Sequence, residues 1–147
     1  MYKKALRYIL NILNKRDYTE YEIKSKLLKK GFDSQTINDV LNYVKEKNFI
    51  NDRRYAENFV FFKLKAGYGV KKIQYAMKEK GINENLISEF LSKADEAKYG
   101  RAVFVKQLQK LSDKKNAREK LYAYMTRRGF KYDTIKELFS SYEKEAR

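Results

Sequence analysis

The chain has 147 residues, with 34 Lys and Arg against 19 Asp and Glu and a formal charge of +15. Without Cys or His it lacks disulfides, a thiol nucleophile, the commonest zinc ligands and the commonest general base. The cationic excess favours a polyanionic partner, and no apolar run is long enough for a signal peptide or membrane span, so a cytoplasmic location is expected.

Apolar residues fall at helical spacing almost throughout, and no strand-like alternation is sustained. The chain is therefore predicted all-α, with nine helices in three units: 1–48, 49–94 and 95–147. The first helix spans about Lys3 to Lys15, with Ala5, Ile9, Ile12 and Leu13 inward. Thr19-Glu20-Tyr21-Glu22 is a capping box for the second helix, which Gly31 ends. Asp33 caps the third, whose inner face is Ile37, Val40, Leu41 and Val44. The second unit opens at Asn51-Asp52, and its first helix carries Tyr55, Ala56, Phe59, Val60 and Phe62 up to a break at Gly67-Tyr68-Gly69. A basic helix leads to Gly81, and Asn83 caps a helix with Ile87, Phe90 and Leu91 inside. In the third unit Ala102, Val105 and Leu108 fall in the first helix. Leu121 and Met125 precede Gly129, and Ile135, Leu138 and Phe139 follow it. Lys131 stands where a cap belongs, so the last helix is expected to start late, at Asp133.

The three units share one register. The turns Lys30-Gly31-Phe32, Lys80-Gly81-Ile82 and Arg128-Gly129-Phe130 place their glycines 50 and 48 residues apart. Ile23, Ile73 and Leu121 stand eight residues before each glycine, and Ile37, Ile87 and Ile135 six after. Such a period marks a helical array, which offers a long surface to a long partner. Most of the glycines' work is expected to be simply ending helices.

Charge follows the same period. Residues 21–30, 63–80 and 114–131, around the second helices, carry +3, +5 and +6. Residues 33–46, 83–96 and 132–147, around the third helices, carry −2, −3 and −1. If neighbouring units stack, the second helices form one basic face suited to a phosphate backbone. Tyr68, Tyr75, Tyr122, Tyr124 and Tyr132 lie among these charges. Core packing accounts for most of them, and Tyr68, between two glycines, is the one expected to be exposed and able to stack on a base. Gly67-Tyr68-Gly69-Val70-Lys71-Lys72 precedes a helix but lacks the strand of a phosphate loop. Asp95-Glu96 has no convergent partner in the sequence, so no catalytic site, metal or cofactor is expected.

The stretch Phe49-Ile50-Asn51-Asp52-Arg53-Arg54-Tyr55-Ala56-Glu57-Asn58-Phe59-Val60, continuing through Lys63-Leu64-Lys65-Ala66-Gly67-Tyr68-Gly69-Val70-Lys71-Lys72-Ile73 to Lys80-Gly81-Ile82, resembles the central signature of the RecX family, small bacterial regulators of the RecA recombinase. Lys30-Gly31-Phe32 fits that family's first repeat, so the resemblance spans essentially the whole chain. Asn51 departs from the family's acidic residue, Lys63 and Lys72 from its Arg, and Met77 from its Leu. Lys lacks the bidentate geometry of Arg. The resemblance implies three tandem three-helix repeats in an elongated, curved array. It also implies a role in the groove of the RecA–single-stranded-DNA filament; a non-catalytic monomer is expected. There it would limit filament growth, strand exchange and stimulated repressor cleavage.

On that reading Lys71, Lys72, Lys78 and Lys80, with Lys63 and Lys65, form the central contact. Lys29 and Lys30 extend it on one side, and Arg118, Lys120, Arg127 and Arg128 on the other. The signature positions are Asp52, Arg54, Tyr55, Ala56, Phe59, Gly67, Gly69 and Gly81, with Asp52 expected to cap a helix or pair with a neighbouring unit. The alternatives are a general DNA-binding helical-repeat protein and a scaffold for an acidic protein. The helix-turn-helix version of the former is disfavoured because its recognition helix would be the acidic third one.

Overall fold

The computed structural model describes residues 1–146 of the chain. Those residues form nine helices and no strand. In chain order they are α1 (Tyr2–Leu13), α2 (Glu20–Lys29), α3 (Ser34–Glu46), α4 (Asp52–Lys65), α5 (Val70–Glu79), α6 (Glu84–Ser92), α7 (Glu96–Leu111), α8 (Ala117–Arg127) and α9 (Tyr132–Glu145). The architecture is all-α, as three groups of three helices. None of these helices is long and apolar enough to cross a membrane.

Two compact units divide the chain. The first contains Met1–Glu57 and Met77–Ile87. Its core is Ala5 and Ile9 of α1, Ile23 and Leu27 of α2, and Ile37, Val40, Leu41 and Val44 of α3, closed by Ile50. Ile12 and Leu13 pack on its margin. The second unit contains Asn58–Ala76 and the chain from Ser88 onward. One of its clusters joins Phe104 and Leu111 of α7, Leu121 and Met125 of α8, and Ile135, Leu138 and Phe139 of α9, with Phe130 from the intervening turn.

Local signals set most helix boundaries. Thr19 and Glu22 form the expected reciprocal box, and Asp33 accepts the Thr36 amide. Asn51 accepts the Arg54 amide at the start of α4, and Asn83 accepts the Asn85 amide beside α6. Four helices end at glycines in the left-handed region: Gly31, Gly67, Gly81 and Gly129. After each, the next amide returns to a carbonyl five residues back, as in Phe32 to Leu27 and Phe130 to Met125. Asn48, with φ 58°, ends α3 in the same way.

Ala102, Val105 and Leu108 lie in α7 as expected, but its inner face is Glu96, Gly100, Phe104 and Leu111. Ala102 is exposed and the other two sit at the core margin. The true face runs through a carboxylate and a glycine, which do not read as core. Next, α9 does not start late at Asp133; it begins at Tyr132 with Lys131 as its N-cap. Lys131 supplies no side-chain cap, and its own amide instead donates to Glu96. Finally, Phe62 is 64% exposed, and Ala56, Val60 and Leu64 are the buried positions of α4.

Candidate functional site

The charged surface rests on two joints between successive repeats, built to the same plan, one in each unit. In the first unit, Asp52, the first residue of α4, accepts the amide of Glu20, the first residue of α2, at 2.9 Å. Thr19, just before α2, donates its hydroxyl to the carbonyl of Lys80 at 2.7 Å. A Cβ on Gly81 would lie 2.3 Å from the Cβ of Tyr21. In the second unit, Glu96, the first residue of α7, accepts the amide of Val70, the first residue of α5, at 2.7 Å. Gly69, just before α5, donates its amide to the carbonyl of Arg128 at 2.8 Å. A Cβ on Gly129 would lie 2.5 Å from the Cβ of Lys72. In both joints, then, the first residue of one repeat caps the second helix of the repeat before it, and the basic-Gly turn presses on that helix start.

The joints differ in electrostatics. Burial pushes the Asp52 carboxyl above its ordinary range, and the neighbouring Glu20 and Glu22 add to this, against the Glu20 amide and Lys45. Glu22 is also penalised by burial, but the Thr19 amide, Lys80 and Arg16 outweigh that and hold its pKa low. Glu96 is 4% exposed, and each of its oxygens takes one backbone amide: Val70 and Lys131. Among the described residues it is the most buried carboxylate, and it is the residue that sequence reasoning missed, because its partners lie 26 and 35 residues away.

Several of the family-signature residues serve these joints. Asp52 is the cap just described, on α2 of the preceding repeat rather than on its own helix. Arg54 donates to the carbonyl of Asn48 at 3.2 Å, Ala56 is fully buried, and Tyr55 lies under the Lys80 ammonium at 5.9 Å. Phe59 lies 5.6 Å from the Lys63 ammonium. Gly67 ends α4, while Gly69 and Gly81 are joint contacts.

The cations are not equivalent. Lys80 is bound into its joint by Glu22 at 3.5 Å. Arg118 is paired with Glu143 at 2.6 Å and lies over Phe139 at 4.3 Å. Lys30 sits over Tyr8 at 4.9 Å, and Lys65 over Phe61 at 5.0 Å. Lys29, Lys71, Lys78, Lys120 and Arg127 are exposed and make no ion pair among the described residues.

The densest cationic arrangement surrounds Tyr68 in the second unit. The ammonium groups of Lys63 and Lys72 stand 5.3 and 5.6 Å from its ring centre, and the Arg128 guanidinium 4.2 Å. Arg128 is held there because it donates to the carbonyls of Gly67 and Ala66 at 3.0 and 2.9 Å, at the C-terminal end of α4. Lys63, Tyr68, Lys72, Ile73 and Ala76 line a cavity of about 200 Å³, with no carboxylate on its wall. Three cations around one aromatic ring, without an acid to neutralise them, form a place for an anion beside a planar group. Tyr68, expected to be the exposed tyrosine, is instead half-buried, whereas Tyr75 is 67% and Tyr132 55% exposed. Among the described residues no group of His, Cys, Asp and Glu is arranged to hold a metal.

Comparison with known proteins identifies three-helix domains in the first two repeats. The family described as RecX, first three-helix domain, matches residues 2–43, and RecX, second three-helix domain, matches residues 51–91. The regulatory protein RecX of Pasteurella multocida is 37% identical over 133 residues, covering 86% of this chain and 80% of that one. That of Haemophilus influenzae strain Rd is 30% identical over 146 residues, covering 96% of each. The crystal structure of RecX from Lactobacillus salivarius superposes with a TM-score of 0.86 at 25% identity, covering 95% of each chain.

Proposed function

Since the chain belongs to the RecX family of regulatory proteins, we propose that it is a non-catalytic regulator that binds the RecA–single-stranded-DNA filament in the cytoplasm and restrains its recombinase, ATPase and coprotease activities. The observation that carries this reading is the acid-free ring of Lys63, Lys72 and Arg128 around Tyr68, with Lys71 exposed beside it. Phosphates bind such a place by releasing counterions, with no need to read bases. Lys29, Lys30, Lys78, Lys120 and Arg127 add positive charge for the same polyanion, while Lys80 acts mainly by holding the scaffold and Arg128 both holds it and completes the ring.

The test is single-stranded-DNA-dependent ATP hydrolysis by RecA with this protein added below saturation of the DNA. Inhibition at that ratio supports filament regulation. Inhibition only when the protein covers the DNA shifts the reading to general DNA binding. Lys71→Glu with Lys72→Glu should weaken inhibition and lower the salt slope of single-strand binding by roughly 0.7 per lost phosphate contact. A double variant that inhibits like the parent removes this site from the mechanism.

A further inference from the structure

Phe61 and Phe62 are the chain's only consecutive phenylalanines, and both lie on the surface of α4. Phe62 is 64% exposed and Phe61 45%. A single exposed aromatic needs no explanation, but these two are joined to a third ring. Phe61 meets Phe62 at 5.5 Å between ring centres and Tyr99 of α7 at 6.4 Å, edge-on in both contacts. Burial does not account for the row, because the buried positions of α4 are Ala56, Val60 and Leu64.

Two of the three rings carry a cation. The Lys65 ammonium stands 5.0 Å from the Phe61 ring centre, and the Lys98 ammonium 5.5 Å from that of Tyr99. Neither makes an ion pair among the described residues. The acids just before Lys98, Asp95 and Glu96, are occupied by backbone amides. A helical turn from Phe62 in either direction stand Asn58 and Lys65, both exposed and polar. Rings set among charges make a poor centre for a protein interface, which excludes charge there. They match bases, which are flat and flanked by phosphates. Stacked bases in a duplex repeat at about 3.4 Å along each strand. Rings 5.5 and 6.4 Å apart, with planes at 69° and 85° to one another, cannot match such a stack. They suit bases drawn apart, one to a ring.

The helix α4 also joins this row to the cations around Tyr68. Successive residues of a helix turn by about 100°, so Phe62 sits between Phe61 on one flank and Lys63 on the other, and Lys63 faces Tyr68. We propose that Phe61, Phe62 and Tyr99 take unpaired bases of a single nucleic-acid strand, whose backbone runs from Lys63, Lys72 and Arg128 to Lys65 and Lys98. The row supplies what phosphate contacts alone do not, selection for bases that are unpaired. It reads no sequence, since every base has a flat face. The inference rests on the polyanion reading above but not on RecA.

Fluorescence anisotropy of the full chain with labelled strands tests this in the absence of RecA. The probes are an oligothymidylate and a strand of the same length built of abasic sites. The parent should bind the thymidine strand at least about fivefold more tightly at equal salt, the least that one stacked base contributes. Phe61→Leu with Phe62→Leu keeps apolar bulk but no flat ring. It should remove that preference while abasic binding, its salt slope and the helical circular dichroism stay unchanged. The chain has no Trp, so Phe62→Trp puts a lone indole in the row, and the thymidine strand should quench its emission while the abasic strand does not. A parent that binds both strands equally overturns the proposal and returns the rings to a protein partner. A Leu variant that keeps the preference, or an indole that the thymidine strand leaves unquenched, overturns it as well. The RecA reading fails separately, in the ATPase assay, which these measurements do not use.

Discussion

Replacing Glu96 separates the joint from ordinary surface electrostatics. Its two acceptor bonds reach unequal donors. Val70 is buried, so its amide would be left without water, and an unpaired buried donor costs about 1–3 kcal/mol. Lys131 is exposed, so its amide can rehydrate, and losing that bond costs about 1 kcal/mol, on the scale of a lost cap. Glu96→Ala should therefore destabilise the protein by about 3–4 kcal/mol once the lost packing is added. Glu96→Gln can keep its oxygen on Val70 but turns an amide donor toward the Lys131 N–H, so about 1–2 kcal/mol is expected. Urea denaturation followed by circular dichroism measures both, and hydrogen exchange at the Val70 amide reports the joint directly. An Ala variant within about 0.5 kcal/mol of the parent, or Ala and Gln variants of equal cost, would refute the reasoning.

The glycine turns give a contrast. Gly31→Ala adds only left-handed strain, about 1–2 kcal/mol, because space is open around it. Gly129→Ala must also displace the Lys72 backbone, 2.6 Å from the new Cβ at the amide nitrogen, so it should cost clearly more in the same denaturation assay. Equal costs would show that Gly129 does no more than end α8. Asp52→Asn keeps an oxygen on the Glu20 amide but removes a carboxylate whose pKa is raised by burial and by Glu20 and Glu22. A raised folded pKa means that ionisation costs stability as pH climbs through it. The Asn variant should thus be at least as stable as the parent at pH 7, the difference closing below about pH 4. A parent that gains on the variant as pH rises would contradict this.

Sequence alone carried the fold far because its signals were local. The capping box at Thr19 and Glu22, the Asp33 cap and the glycine C-termini each act within a few residues. What it could not carry were roles that cross repeats. Glu96 sits beside Asp95, a plain cap of α7, and nothing nearby distinguishes them. Gly31, Gly81 and Gly129 look alike in register, yet only the latter two face a neighbour too close to admit a Cβ. The cations were visible as a set, but their division was not. Lys80 and Arg128 are spent on Glu22 and on α4 carbonyls, while Lys71 and Lys72 keep their charge for others. The ring around Tyr68 needed Arg128, 60 residues downstream, to be seen.

The backward direction of the joints matters while the chain is being made. The α2 start waits for Asp52, 32 residues after Glu20, and for Lys80, 61 after Thr19. The α5 start waits for Glu96 and then for the turn at Arg128 and Gly129. Synthesis runs from the N-terminus, so each of the first two repeats emerges with its second helix unfinished, to be completed by residues the ribosome has yet to deliver. A stalled chain ending before residue 96 would hold α5 in that unfinished state, open to proteases that the released protein resists.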